Sequence, residues 1–459
     1  MRQAVLVIHG IGDQKPMETI RSFVDAVIED EPTPTPSQEL KDRDSKAANP
    51  TKPKFWNKPD SLSGLFELRR FSVRKKAFTD TDFYEFYWAH LMKNTKLGHV
   101  LSWVWILLWS NPLKIPTRLR PIWVLSVVLI GTSAFYLYHA FTFYGELSNF
   151  LMIDLSKGLL AFILLIVFNY FMLTYLGDAA RYFSASPGNV EIRQKIREEG
   201  VKLLRNLHHS KRYDRIIVVG HSLGSVIAYD ILKYYWIEVN RKHGSPSDLN
   251  QTALDHLEKM VYNKRQQSSH LSADRAFIEN FQKKQRALWI EQRNLGNPWL
   301  VTDLITLGSP LAHASFLFTK SKEELEMRQR ERELPICPPI LEDKKFSFPM
   351  TYNLDATTTQ TINILHHSAL FSATRWTNLY FEGDFIGGPL RKTFGFGIYD
   401  MAVRTKSKYG EKFPNSHTKY WEKVNPDSLP TEGTGYLSIH ALCNAINLNA
   451  EEWLKEVKG

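Results

Sequence analysis

The sequence predicts an α/β fold, a mostly parallel sheet flanked by helices, with a two-helix transmembrane hairpin inserted in the chain. Three observations predict it. Short β-branched runs alternate with helix-spaced apolar stripes, the pattern of a parallel sheet covered on both faces. Arg215 to Leu232, RIIVVGHSLGSVIAYDIL, reads as strand, sharp turn and helix in immediate succession. Two runs free of Asp, Glu, Lys and Arg, Pro121 to Tyr144 and Gly158 to Gly177, are each about the length that crosses roughly 30 Å of hydrocarbon.

Taken in order, Ala4 to Ile8 (AVLVI) is a buried strand that runs into His9-Gly10-Ile11-Gly12-Asp13. Ile20, Phe23, Val24, Val27 and Ile28 then recur at helical spacing, and the Pro-, Lys- and Asp-rich stretch from Glu31 to Asp60 reads as a loop. Phe66 to Lys76 alternates apolar and basic residues, and Asp82 to His90 has the composition of a second core strand. Leu97 to Trp109 is apolar but short for a span, and Trp103, Trp105 and Trp109 suit an interfacial helix. The hairpin follows. Its connection, Gly145 to Lys157, carries Glu146, Asp154 and a single lysine, whereas Lys114, Arg118 and Arg120 precede the hairpin and Arg181 follows it, so the positive-inside rule puts both ends, and the catalytic domain with them, on the cytoplasmic side. The protein is thus expected to be integral to a membrane, with the lipid bilayer as its partner.

Val190 to Leu207 supplies the crossover helix that a parallel strand at Ile216 requires. Asn240 to Asn297 is a polar, helix-patterned insertion, Leu304 to Pro310 another strand with its loop, Ser321 to Glu333 a charged helix, Trp376 to Phe381 a further strand, and Tyr436 to Leu448 a closing helix. The organisation expected is a first core part at 1–90, membrane elements at 91–180, and a second core part at 181–459 with the insertion at about 240–297.

The net charge of +10 fits a solvated or membrane-facing surface. The basic residues are scattered and form no nucleic-acid module, so nucleic acid is not a partner. Cys337 and Cys443 are the only cysteines, which argues against a disulfide framework and against a cysteine-rich zinc site. No cleavable signal peptide is visible. His208-His209 and His366-His367 are adjacent pairs whose side chains diverge, so no metal is expected. Gly10-Ile11-Gly12 lacks the third glycine of a dinucleotide loop and the lysine of a P-loop, so no cofactor is expected either.

The chemistry centres on Gly220-His221-Ser222-Leu223-Gly224, a G-x-S-x-G nucleophile elbow in which the glycines leave room for a strained turn that exposes the Ser222 hydroxyl. A serine needs a base, and the base needs an acid. In the chain order that accompanies such an elbow, acid and then histidine follow the serine. Asp384, in a loop with Gly383, Gly387 and Gly388, is the favoured acid, with Glu382 and Asp355 behind it. Of the fifteen histidines only His417 and His440 lie beyond Asp384. His417 opens a helix after a loop and is the favoured base; His440 sits on an apparently apolar helix, as a core histidine would. The oxyanion donors expected are the N–H groups of Leu223, after the nucleophile, and of Ile11, after the first strand. His9 reads as a hydrogen-bonder that fixes its loop, and His221 as the variable slot of the elbow.

With VLVIHGIG, VVGHSLGS, LGSPL, NLYFEGDFIGGPL and SHTKYW together, the chain resembles the α/β-hydrolase superfamily, and within it the serine esterases and lipases. The resemblance covers Met1 to His90 and Arg181 to Gly459. It implies Ser222 as nucleophile, Asp384 as acid, His417 as base, and Ile11 and Leu223 as the oxyanion hole. Two departures stand out: the first strand corresponds to an interior strand of the full fold, and the hairpin replaces a short loop or cap. The function expected is a membrane-anchored serine hydrolase of carboxylic esters, lipid esters foremost. The rival is a catalytically silent hydrolase-fold membrane tether.

Overall fold

The structure is a computed structural model that describes residues 2–10, 15–29, 55–74, 79–92, 115, 117, 120–142, 156–157, 159–160, 163–164, 182–183, 187–244, 250–267, 274–319, 321–353, 359–405, 415–422 and 436–449. Strands β1 (Arg2–Ile8), β2 (Trp56–Pro59), β3 (Arg69–Val73), β4 (Asp80–Phe86), β5 (Arg215–His221) and β6 (Val301–Leu307) precede a separate antiparallel hairpin, β7 (Ser347–Asn353) with β8 (Thr359–Leu365). Strands β9 (Arg375–Tyr380), β10 (Tyr399–Arg404) and β11 (Tyr436–Leu437) complete the main sheet, whose order is β11-β10-β9-β6-β5-β1-β4-β3-β2. Every neighbouring pair from β11 to β4 is parallel, and only β3 and β2 are added antiparallel at the edge. The sheet is therefore mixed and mostly parallel, with β1 in its interior.

Alternation along the strands divides the core into two layers. Val5 and Val7 of β1, with Phe83, Ile217 and Val219, pack on Phe23, Val24 and Val27 of α1 (Glu18–Glu29) and on Leu442 and Ile446 of the closing helix Ser438–Ile446. Leu6 and Ile8, with Tyr84, Phe86, Ile216 and Val218, face the other way, onto Ile196 and Leu203 of Pro187–His209 and onto Val226 and Ile227 of Leu223–Val239. Central strands buried on both faces explain why AVLVI and IIVV read as unbroken apolar runs. Each such side chain contributes on the order of 1.5–3 kcal/mol on burial.

Chain direction also locates the crevice. Strands β2, β3 and β4 fill the sheet on one side of β1, and the chain then crosses over through Pro187–His209 to β5 on the other side. Beyond the carboxyl ends of β1 and β5 the strand order reverses, the point at which open α/β sheets bind ligands.

Three expectations are corrected. Among the described residues no helix is long and apolar enough to cross a membrane, so the transmembrane hairpin and the two-span integral membrane protein are not supported. The first of the two runs forms a helix, Arg120–Thr142, but its apolar sequence is interrupted by Ser126, Thr132, Ser133, Tyr136, Tyr138 and His139, with Ser126 and Ser133 buried. Trp123 near its start packs on Ile115 together with Phe316 and Phe385, whereas Val124, Leu125, Val128 and Phe135 further along are exposed. Of the second run, only residues 159–160 and 163–164 are described, and Leu97 to Trp109 lies outside the described residues. The stretch read as a loop from Glu31 to Asp60 contains strand β2, whose charged, exposed sequence WNKP is that of an edge. His440 is exposed on its helix, where a core histidine had been expected. The insertion at 240–297 is a pair of helices, Thr252–Gln266 and Arg275–Asn294.

Candidate active site

Strand β5 ends at His221 and the helix Leu223–Val239 begins one residue later, so Ser222 has to make the turn alone. It does so at φ 52° and ψ −129°, a conformation that a side chain rarely tolerates. The two elbow glycines are required by contact. A Cβ on Gly224 would lie 2.2 Å from the Ile8 carbonyl oxygen, and one on Gly220 2.5 Å from the Ser225 Cα. The Ser222 amide donates to the Leu307 carbonyl at 2.9 Å, and Ser225 Oγ donates to the Ser222 carbonyl at 2.6 Å, so the strained residue is pinned on both sides.

The other two sequence-selected side chains meet it. Ser222 Oγ donates to His417 Nε2 at 2.9 Å, and His417 Nδ1 donates to Asp384 Oδ2 at 2.8 Å. An ionised carboxylate only accepts, which fixes the proton on Nδ1 and leaves Nε2 to take the serine proton. Ser222, His417 and Asp384 are 2, 3 and 0% exposed, so the chain of bonds lies in a medium of low dielectric, where it is stronger than in water.

Asp384 follows β9 in a turn that also saturates its second oxygen: Ile386 N donates to Oδ1 at 3.0 Å. Burial would raise its pKa; the charge and hydrogen bond of His417, with further donors from Tyr420 and Gly387, outweigh that and hold it below the usual carboxylate range. His417 itself sits on a short 3-10 turn, Asn415–Thr418. Of the alternatives, Glu382 is exposed, and Asp355 lies outside the described residues.

Two histidines next to the site act through fixed hydrogen bonds. His221 Nε2 donates to the His417 carbonyl oxygen at 2.7 Å, and its ring lies 5.1 Å from that of His417. Burial lowers its pKa to about 3, so it is a neutral ring tying the end of β5 to the backbone of His417. His9 stacks on Trp88 with ring centroids 5.1 Å apart; its Nδ1 donates to the Gly10 carbonyl, and the Trp88 indole N–H donates to the His9 carbonyl at 3.0 Å. Desolvation lowers its pKa to about 4. The partnership of His221 with His417 was invisible in the sequence, since nothing marks a contact 196 positions distant.

Of the oxyanion pair, Leu223 N–H is the first amide of its helix, where the first four amides have no intrahelical acceptor and the helix dipole favours negative charge. Ile11 lies outside the described residues, but Gly10 before it is packed on the nucleophile: a Cβ there would stand 2.9 Å from the Ser222 Cβ. Among the described residues no group of three or more His, Cys, Asp or Glu side chains could hold a metal ion. His208 and His366, the buried members of the two histidine pairs, are bonded to backbone: His208 to Leu204 and Leu300, His366 to Ile340 and Ser368. Clefts of about 620 and 550 Å³ open elsewhere, and none of the three triad residues lines either. No protein-family model, no curated protein and no solved structure matches this chain.

Proposed function

We propose that this chain is a serine hydrolase of the α/β-hydrolase type that cleaves carboxylic esters through an acyl-enzyme on Ser222. The observation that carries the reading is the unbroken run of hydrogen bonds from Ser222 Oγ through His417 to Asp384, on a strained elbow. Ser222 Oγ attacks the ester carbonyl as its proton passes to His417 Nε2, and the imidazolium so formed is stabilised by Asp384. The Leu223 N–H faces the charge that develops on the carbonyl oxygen. Collapse breaks the bond to the alcohol, which leaves with the proton from Nε2. Water then repeats the sequence on the acyl-enzyme, releasing the acid and restoring the serine. The residues present suffice for this; no metal or organic cofactor enters a step.

An apolar acyl chain is the substrate portion the surroundings suit. Phe385 directly follows the acid and packs on Ile115 with Phe316 and Trp123, and the helix Arg120–Thr142 that carries Trp123 has Val124, Val128 and Phe135 exposed. Lipid esters are therefore the favoured class.

A fluorophosphonate probe tests the core of the reading: the wild type labels and Ser222→Ala does not. Equal labelling of the two removes Ser222 from the mechanism and leaves a catalytically silent fold that binds without cleaving. A series of nitrophenyl esters from acetate to octanoate tests the substrate class, with kcat/KM rising along it; a flat series removes the lipid part alone.

A further inference from the structure

We propose that Tyr420 is a positioning residue of this site: its buried hydroxyl donates to the same carboxylate oxygen that holds His417, and so sets how strongly Asp384 supports the base. The proposal rests on the serine-hydrolase reading and extends it to a fourth side chain.

Asp384 Oδ2 accepts from His417 Nδ1 at 2.8 Å and from Tyr420 Oη at 2.9 Å. The direction of the second bond is determined, because an ionised carboxylate has no proton to give and the phenol has one. The tyrosine oxygen is itself filled from behind by the Phe381 N–H at 3.2 Å, which fixes it at the end of β9 and leaves its proton for Asp384. Tyr420 is 0% exposed, with its ring 4.6 Å from that of Phe381 and 5.7 Å from that of His221. Room for it is cut from the end of β6: Gly308, at φ +56°, is a position where a Cβ would fall 2.7 Å from the tyrosine ring and 3.0 Å from Asp384 Oδ2. The segment that supplies the base thus supplies, three residues later, the donor on its acid.

One oxygen serving two donors divides its charge between them. Every increment of stabilisation that Tyr420 gives the carboxylate makes it a weaker acceptor for His417, while the same bond stops the carboxylate rotating away from Nδ1. The titratable groups that face this point are His417 and Tyr420 on one segment and His221 from β5, with His313 bonding the Phe385 carbonyl beside the acid at 2.8 Å and His9 acting on His221 from behind. Tyr420 is the group among these whose removal alters Asp384 without touching the serine or either imidazole nitrogen of His417.

Tyr420→Phe keeps the ring and deletes the hydroxyl. The expected result is a fall in kcat of about ten-fold, with KM unchanged, because a carboxylate freed of that bond rotates away from Nδ1 and the loss of orientation outweighs its gain in charge. The acidic limb of the pH–rate profile moves to higher pH, by roughly one unit at most, because the released carboxylate supports the imidazolium more strongly. Replacing Tyr420 with 3-fluorotyrosine, an isostere and a stronger donor, moves the limb the other way. The isostere also carries the test should the Phe variant fail to fold. The downfield proton resonance of the His417–Asp384 bond is the readout that needs no turnover: further downfield in the Phe variant, upfield with fluorotyrosine. Limb and resonance unmoved by either replacement overturn the proposal. A moved resonance in a protein that labels equally with and without Ser222 would uphold Tyr420's hold on Asp384 while sinking the hydrolase reading.

Discussion

Strands β6 and β9 bring a buried carboxylate to each end of the sheet, and the two are held in opposite ways. At the amino end Asp303 is met by two guanidiniums, Arg215 at 2.8 Å and Arg375 on its other oxygen, with Thr302 Oγ1 adding a bond at 2.7 Å. At the carboxyl end Asp384 is met by the imidazole of His417, the phenol of Tyr420 and the amide of Ile386. Both are depressed below the usual carboxylate range against the pull of burial, Asp303 by Arg375 and Arg215, Asp384 by His417 and its hydrogen bonds. The difference teaches what a buried acid can be used for. A charge already neutralised by two arginines fastens three strands and has nothing left to offer a proton in transit. A charge held by an imidazole and neutral donors would remain available, under the proposed hydrolysis, to an imidazolium that forms only during reaction.

The comparison can be broken most decisively by making the same substitution at both ends. Asp384→Asn is expected to lower ester hydrolysis by about 10⁴-fold, because the amide cannot hold the tautomer that leaves Nε2 free. Its denaturant midpoint should stay close to that of the wild type. Asp303→Asn, by contrast, leaves the buried Arg215 and the partly buried Arg375 facing a neutral group and is expected to cost about 3–5 kcal/mol of stability. Its activity per folded molecule, titrated with the fluorophosphonate, should not change. If the two variants lose the same property, the two carboxylates do not differ in kind.

Acid sharpens the comparison with a smaller effect. Burial brings His9, His208, His221 and His366 to about 4, 3, 3 and 4, so below pH 6.5 the unfolded chain binds protons that the native one refuses, and stability falls with pH. Glu85 and Glu291, raised by burial to about 7, work against this, since the native state holds their protons between pH 7 and 4.5. Four groups outweigh two, and the net loss from pH 6.5 to 5 is expected to be on the order of 2 kcal/mol. Urea midpoints at these two pH values check it, and a higher midpoint at the lower pH would break it. The depressed Asp82, Asp303 and Asp384 withdraw their contribution only at lower pH still.

Much of this was legible in the residues because it is local. The elbow needs its glycines within two positions of the serine, strands buried on both faces read as apolar runs, and the order of acid and histidine limits the search to Asp384 and two histidines. What depends on tertiary contact was not legible. The two uncharged runs read as membrane spans on hydropathy, yet among the described residues no helix is long and apolar enough to cross a membrane, and Trp123 at the start of the first run packs on Ile115 beside Phe316 and Phe385. The hairpin of β7 and β8 went unread, although TQTINIL alternates with the strand period. The hold of Tyr420 on Asp384 and of His221 on His417 comes from chain segments that meet only once the sheet is complete.

Ser222 and His417 touch across 195 positions of chain. At about 5–20 residues per second of synthesis, the serine leaves the ribosome on the order of ten to forty seconds before its base exists. With Ser222 as nucleophile, a half-made polypeptide carries a poised hydroxyl with no partner to deprotonate it, and so cannot attack the esters around its birthplace. On that reading reactivity arrives nearly last, as a certificate that the chain behind it has folded.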